Sequence, residues 1–242
     1  MGSVNDVLVI NMAKAVHYHL AYINSVARTD VVAESCFRLP ATEYIERHPN
    51  LGFSIFLEHL HPVFKYRRID LAWARGNDKA PTSFMEMKYV KSGTADTIEI
   101  QRFYNDLERL ASILAASRDV KCYFLASGLS INWEECFKNK YIPDETKTAT
   151  ESAKKGKKKP NLLKVASEYN SWFSFDREKP VKIIKLKEDH SWHKEFLKQY
   201  EKRKEAPDFS LRRFTTRLLW ISGTNTKALN ENTVTGIWEI GR

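Results

Sequence analysis

Residues 66–75 (YRRIDLAWAR) and 83–90 (SFMEMKYV) are two strand-length runs joined by the turn-rich GNDKAPT. Side chains alternate between faces along a strand. Ile69, Leu71 and Trp73 therefore share one side of the first run, and Asp70 lies on the other with Ala72 and Ala74. In the second run Met85, Met87 and Tyr89 share one side, while Glu86 and Lys88 share the other with Phe84 and Val90. Each run thus has one strongly apolar face and one face that mixes charge with smaller groups. Such a pair must bury its apolar face against other elements. That requirement restricts the chain to layered architectures, α/β or α+β, built around one mixed sheet.

The register of the pair brings its charges together. A hairpin centred on Asp78 sets Asp70 opposite Glu86, with Cβ atoms ~5 Å apart. Two carboxylates at that separation repel unless something neutralises them. A divalent cation does so, and oxygen ligands suit Mg²⁺ or Mn²⁺. Lys88 projects from the Glu86 face two residues on. It can stabilise negative charge on a phosphate or orient an attacking water. Asp70, Glu86 and Lys88 are therefore the candidate catalytic residues of a metal-assisted phosphodiester hydrolysis. A surface ion-pair ladder is the alternative. The apolar setting of the acids and the amphipathic helix that follows favour the metal site. Glu34, in VVAESCFR, is a candidate further acid. Its apolar neighbours predict partial burial, and a buried carboxylate needs a partner: an arginine or the metal.

The remaining elements follow from periodicity and punctuation. Residues 4–26 read as a helix, 31–38 as a strand, 40–52 as a loop or short helix, and 53–60 as a strand. A helix over 96–116 has an apolar stripe of Ile100, Phe103, Leu107, Leu110 and Leu114, with Asp96 and Glu99 placed for a capping box. A buried strand is expected over 120–127 and a short helix over 132–138. Strands near 181–187, 213–222 and 233–240 and a charged helix near 190–204 complete the pattern. Residues 144–160 hold no large apolar residue and end in a lysine cluster, which reads as a flexible basic loop. Domain organisation is then 1–143 as a core, 144–160 as the loop, and 161–242 as a C-terminal α+β extension packed on the same domain.

Charge points to a polyanionic partner. The net charge is +9; residues 1–100 hold 11 basic and 11 acidic residues, so the second part of the chain carries the excess. Lys154, Lys155, Lys157, Lys158 and Lys159 are the densest cluster, a candidate phosphate-grasping arm; a solvated loop is the plainer reading. No apolar run is long enough to span a bilayer, and the start lacks the pattern of a secretory signal. Three cysteines without CxxC spacing suit a reduced, cytoplasmic protein. The histidines lack acidic or cysteine partners at metal spacing. His17, His19, His59 and His61 are expected to be structural or surface groups, and His190 and His193 to be solvated.

Ile69-Asp70 followed at a gap of fifteen by Glu86-Met87-Lys88 resembles the PD-(D/E)XK, or restriction-endonuclease-like, nuclease superfamily. The match covers about residues 1–127, in the order αβββαβ. The resemblance implies a restriction-endonuclease-like core, with Asp70, Glu86 and the Met87 carbonyl as metal ligands. It also implies Lys88 as catalytic lysine and Glu34 as accessory acid. Ile69 stands where the family name has proline. Gln101 is the candidate nucleic-acid contact of the following helix, although Asn105 falls where some branches have tyrosine. The expected activity is that of an Mg²⁺-dependent endonuclease, with DNA as substrate and a restriction or phage-defence role. The expected setting is a homodimer or a subunit of a larger assembly. The competing expectation is a non-catalytic nucleic-acid-binding or assembly subunit with the same fold.

Overall fold

Apolar residues at helical spacing build the first element, α1 (Val4–Ser25). Leu8, Val9, Met12, Ala13, Val16 and Leu20 are buried, and Tyr18 and Tyr22 face outward. Next comes α2 (Ser35–Glu46), where a strand was expected over 31–38. Phe37, Ala41 and Ile45 are spaced four apart and buried, so a helical stripe against α1 decides the conformation. Pro40 sits inside this helix without ending it. A short 3₁₀ turn, Pro49–Leu51, leads through Gly52, at φ +63°, into the sheet.

The strands are β1 (Phe53–Leu60), β2 (Arg68–Arg75) and β3 (Ser83–Val90), then β4 (Lys121–Leu129) after helix α3 (Thr97–Ala116). β5 (Val181–Lys185), α4 (Ser191–Glu201), β6 (Arg213–Ile221) and β7 (Thr233–Gly241) complete the chain. All seven strands form one sheet in the order β1-β2-β3-β4-β7-β6-β5. β3 and β4 are parallel, and every other neighbouring pair is antiparallel. A parallel neighbour needs a crossover, and α3 supplies it. The C-terminal strands thus complete the same sheet as the N-terminal ones.

The fold is α/β, with helices on both faces of the mixed sheet. α1 and α2 cover Leu71, Trp73, Met85, Met87, Tyr123, Leu125 and Ile237. α3 covers the other face, including Phe84, Val90, Phe124 and Trp238. This computed structural model describes residues 4–26, 33–76, 78, 80–91, 97–130, 132–133, 171–186, 191–201, 212–222 and 233–242. Lys154, Lys155, Lys157, Lys158 and Lys159, the expected loop over 144–160, the proposed cap at Asp96 and most of the expected helix over 132–138 lie outside the described residues. Among the described residues no helix is long and apolar enough to cross a membrane.

Candidate functional site

The hairpin register is the one a turn centred on Asp78 dictates: Leu71 pairs with Met85, Ala72 with Phe84 and Trp73 with Ser83. The ladder stops one step before Asp70 would meet Glu86. On its other side, β1 pairs Leu57 with Leu71 and His59 with Ile69 but omits Glu58 with Asp70. Glu58 has φ +49°, a left-handed backbone that is rare outside glycine. The sheet therefore opens on both sides of Asp70. Its Oδ2 accepts the Met87 N–H at 2.8 Å. The strict alternation expected of β2 also slips here: Ile69 packs in the α3-side core, not with Leu71 and Trp73.

Into this opening project five carboxylates and three cations. Arg38, from α2, donates to Asp70 Oδ1 at 2.7 Å and pairs closely with Glu58. Arg109, from α3, donates to Glu86 Oε1 at 2.8 Å and pairs closely with Asp106. Lys88 Nζ lies 2.8 Å from Asp106 Oδ2 and 3.3 Å from Glu34 Oε1. Glu34 sits at the N-cap of α2, yet its side chain caps nothing, which leaves it for Lys88. Glu34 is half-exposed, and its partner in this structure is a lysine where an arginine or the metal was expected. Formally, Glu34, Glu58, Asp70, Glu86 and Asp106 outnumber Arg38, Lys88 and Arg109 by two charges among the described residues.

The protonation states follow from depth. Glu86 is 3% exposed, and burial pushes its carboxyl well above the ordinary range. The Arg109 guanidinium opposes that shift, while Asp106 and Asp70 add to it, and a side-chain hydrogen bond links Glu86 to Asp70. Burial also raises Glu34, with Lys88 opposing. For Asp106 the balance reverses. Burial disfavours its charge, but Arg109 and Lys88 together hold the carboxyl below its usual value. Burial disfavours the charge of Lys88 too, yet Asp106 and Glu34 outweigh it and raise the ammonium pKa, so Lys88 is a fixed cation.

The expected quartet of Asp70, Glu86, Lys88 and Glu34 is therefore brought to one place. Gln101 is not part of it. Its amide donates to Asn105 Oδ1 at 2.6 Å and reaches the Trp192 carbonyl at 3.4 Å, at the contact with α4. His193, expected to be solvated, is 7% exposed, and its Nδ1 meets the buried Glu108 at 2.9 Å. Four site residues went unrecognised in the sequence: Arg38, Glu58, Asp106 and Arg109. A signal existed for Asp106. Phe103, Asp106, Leu110 and Ile113 fall at core-facing helical spacing, so a charge in that series is buried and must be paired.

All five acids offer hard oxygen donors, and the formal deficit equals the charge of one divalent cation. Asp70 and Glu86 are close enough to share a hydrogen bond, and the Met87 peptide lies against Asp70. In donor chemistry and charge the cluster fits a hard divalent ion. Among the described residues no three His, Cys, Asp or Glu side chains stand in a ligand arrangement as they are; Arg38 and Arg109 lie against the two acids instead. No protein-family model, curated protein or solved structure matches the chain.

Proposed function

We propose that the chain is a divalent-metal-dependent nuclease with a restriction-endonuclease-like core, acting on DNA. One observation carries this reading. Two strand acids and a lysine converge where the sheet opens, inside a cluster short of two positive charges. The αβββαβ element order adds support, with α2 inserted after the first helix. Asp70, Glu86 and the Met87 carbonyl would hold Mg²⁺ or Mn²⁺, with Glu34 at the margin. The ion would polarise the phosphoryl group and lower the pKa of a nearby water.

The chain's own residues do the rest. Lys88 is held between Glu34 and Asp106 and presents a fixed positive charge to the phosphate as negative charge develops. Arg109 is paired with both Glu86 and Asp106, so it keeps Asp106 when Glu86 is engaged elsewhere. In the reaction a water oxygen bonds to phosphorus and the bond to one sugar oxygen breaks. The water's proton ends on that oxygen or in solvent. The basic second part of the chain attracts the polyanion.

The arginines on Asp70 and Glu86 favour a second reading, a nucleic-acid-binding or assembly subunit that does not cleave. One assay separates the two. The protein is incubated with supercoiled plasmid, linear duplex, single-stranded DNA and RNA, in Mg²⁺, Mn²⁺ or EDTA, beside Asp70→Ala and Lys88→Ala. Cleavage that needs the ion and is lost in both variants is expected. Cleavage that persists in EDTA or in both variants contradicts the mechanism, and binding without cleavage favours the second reading.

A further inference from the structure

The turn from β1 to β2, residues 61–67, ends three residues before Asp70. At ~3.3 Å per strand residue, Arg68 is about 7 Å along β2 from the site. Between Glu58 and Asp70 the sequence HLHPVFKYRRI has three cations and no acid, although residues 1–100 balance as a whole. Among the described residues no carboxylate pairs with Lys65, Arg67 or Arg68. Lys65 and Arg68 are exposed, and Tyr66 is 72% exposed, the most of any large apolar side chain described. Lys65 Nζ sits 5.4 Å from the centre of the Tyr66 ring.

The turn that presents these groups is fixed in place. His61 is buried, and burial with the neighbouring Arg109 lowers its pKa to about 3, so the ring is neutral. Its Nδ1 accepts the Val63 and Phe64 N–H groups at 3.0 and 3.1 Å. Its Nε2 therefore carries the hydrogen and donates to the Arg109 carbonyl at 3.2 Å. Phe64 is fully buried against Phe196 and Tyr200 of α4, and Arg67 lies over the Tyr200 ring. Arg68 Nη1 donates to the Glu58 carbonyl at 2.8 Å, beside the acid that Arg38 holds. A rigid turn thus places unpaired cations and an exposed aromatic ring next to the reactive acids.

We infer that this turn grips an unpaired nucleic-acid strand beside the cut position, with Lys65 and Arg68 on phosphates and Tyr66 stacked on a base. Exposed aromatics bind unpaired bases without sequence choice, and the cations add salt-dependent affinity. The inference rests on the nuclease reading and gives it a substrate feature, a locally single-stranded segment.

The test is fluorescence anisotropy in EDTA, with a labelled single strand and the duplex of the same sequence over a salt series. Tyr66→Ala is expected to weaken single-strand binding roughly 5- to 100-fold and to leave duplex binding unchanged, with Tyr66→Phe keeping most of the affinity. The double variant Lys65→Ala/Arg68→Ala lowers binding to both probes and reduces the salt slope by about 2. Wild-type affinity in Tyr66→Ala, with ion-dependent cleavage intact in the parent, overturns the inference and spares the nuclease reading. A parent that binds neither probe overturns both. A change in sedimenting mass with unchanged affinity makes the turn a contact between copies and also overturns it.

Discussion

Two ion networks cross this sheet, and they differ in depth and balance. At one, Arg217 of β6 donates to Glu239, its direct neighbour on β7, at 2.8 and 2.5 Å, and meets Asp6 of α1 at 3.3 Å. Lys121 lies 3.9 Å from Asp6. Among the described residues two acids face two cations here, and the Arg217 side chain is 42% exposed. This is an ion-pair ladder of the kind that was the alternative for Asp70 and Glu86. At the other, the side chains of Glu86 and Asp106 are 5% exposed, and acids outnumber cations by two. The buried acids Asp70, Glu86 and Asp106 are matched by Arg38, Lys88 and Arg109, and the two further acids, Glu58 and Glu34, are 42% and 40% exposed at the rim. The second network thus keeps its excess of acid at an open edge, and the proposed cation site rests on that feature.

Stability separates the two networks most strongly. Arg109→Ala leaves Glu86 and Asp106 buried beside fewer cations, and should cost about 3–5 kcal/mol without added metal. Urea titration in EDTA measures it, and Mg²⁺ should restore part of the loss. A cost below about 1 kcal/mol would place this network with the Arg217 ladder. Next in size, Lys88→Ala should slow cleavage by about 100- to 1000-fold in plasmid assays, whereas Arg217→Ala should not change it.

A third test uses pH. The folded-state carboxyl of Glu86 lies above its unfolded value, chiefly through burial. Between those values the folded chain keeps a proton that the unfolded chain has lost, so stability fades as pH rises through that window. Glu86→Gln removes the effect. In EDTA its Tm should exceed that of the parent by about 2–4 °C at pH 8, the gap closing toward pH 4, while cleavage is lost. An equal or lower Tm at pH 8 would mean that Glu86 is stabilised as a carboxylate. The smallest effect belongs to Arg217→Ala, with a cost of about 1 kcal/mol or less for a half-exposed pair.

Much of this site is legible in the sequence because it depends on local rules. Two-residue alternation and a turn of fixed length aim Asp70 toward Glu86, and the observed pairing of Leu71 with Met85 keeps that register up to the step before them. Residues 31–38 misled because their strand-like composition competes with a helical stripe that only α1 reveals. Arg38 is invisible for the same reason, since it reaches Asp70 only once α2 is helical. The opening at Asp70 depends on the backbone of Glu58, and no pattern in FSIFLEHL announces a left-handed residue. Arg109 joins the site from a helix 23 residues beyond Glu86, a long-range contact that periodicity does not reach.

The proposed activity depends on uptake of a divalent cation by the acid-rich network. Titration calorimetry with Mn²⁺, in two buffers of different ionisation enthalpy, tests it on the parent and on Asp70→Asn. Burial pushes the Glu86 carboxyl well above its ordinary range, and ligands must deprotonate to bind. Saturable binding with proton release is expected in the parent, and its loss in Asp70→Asn. No saturable uptake at millimolar Mn²⁺, or an unchanged isotherm in Asp70→Asn, would contradict it.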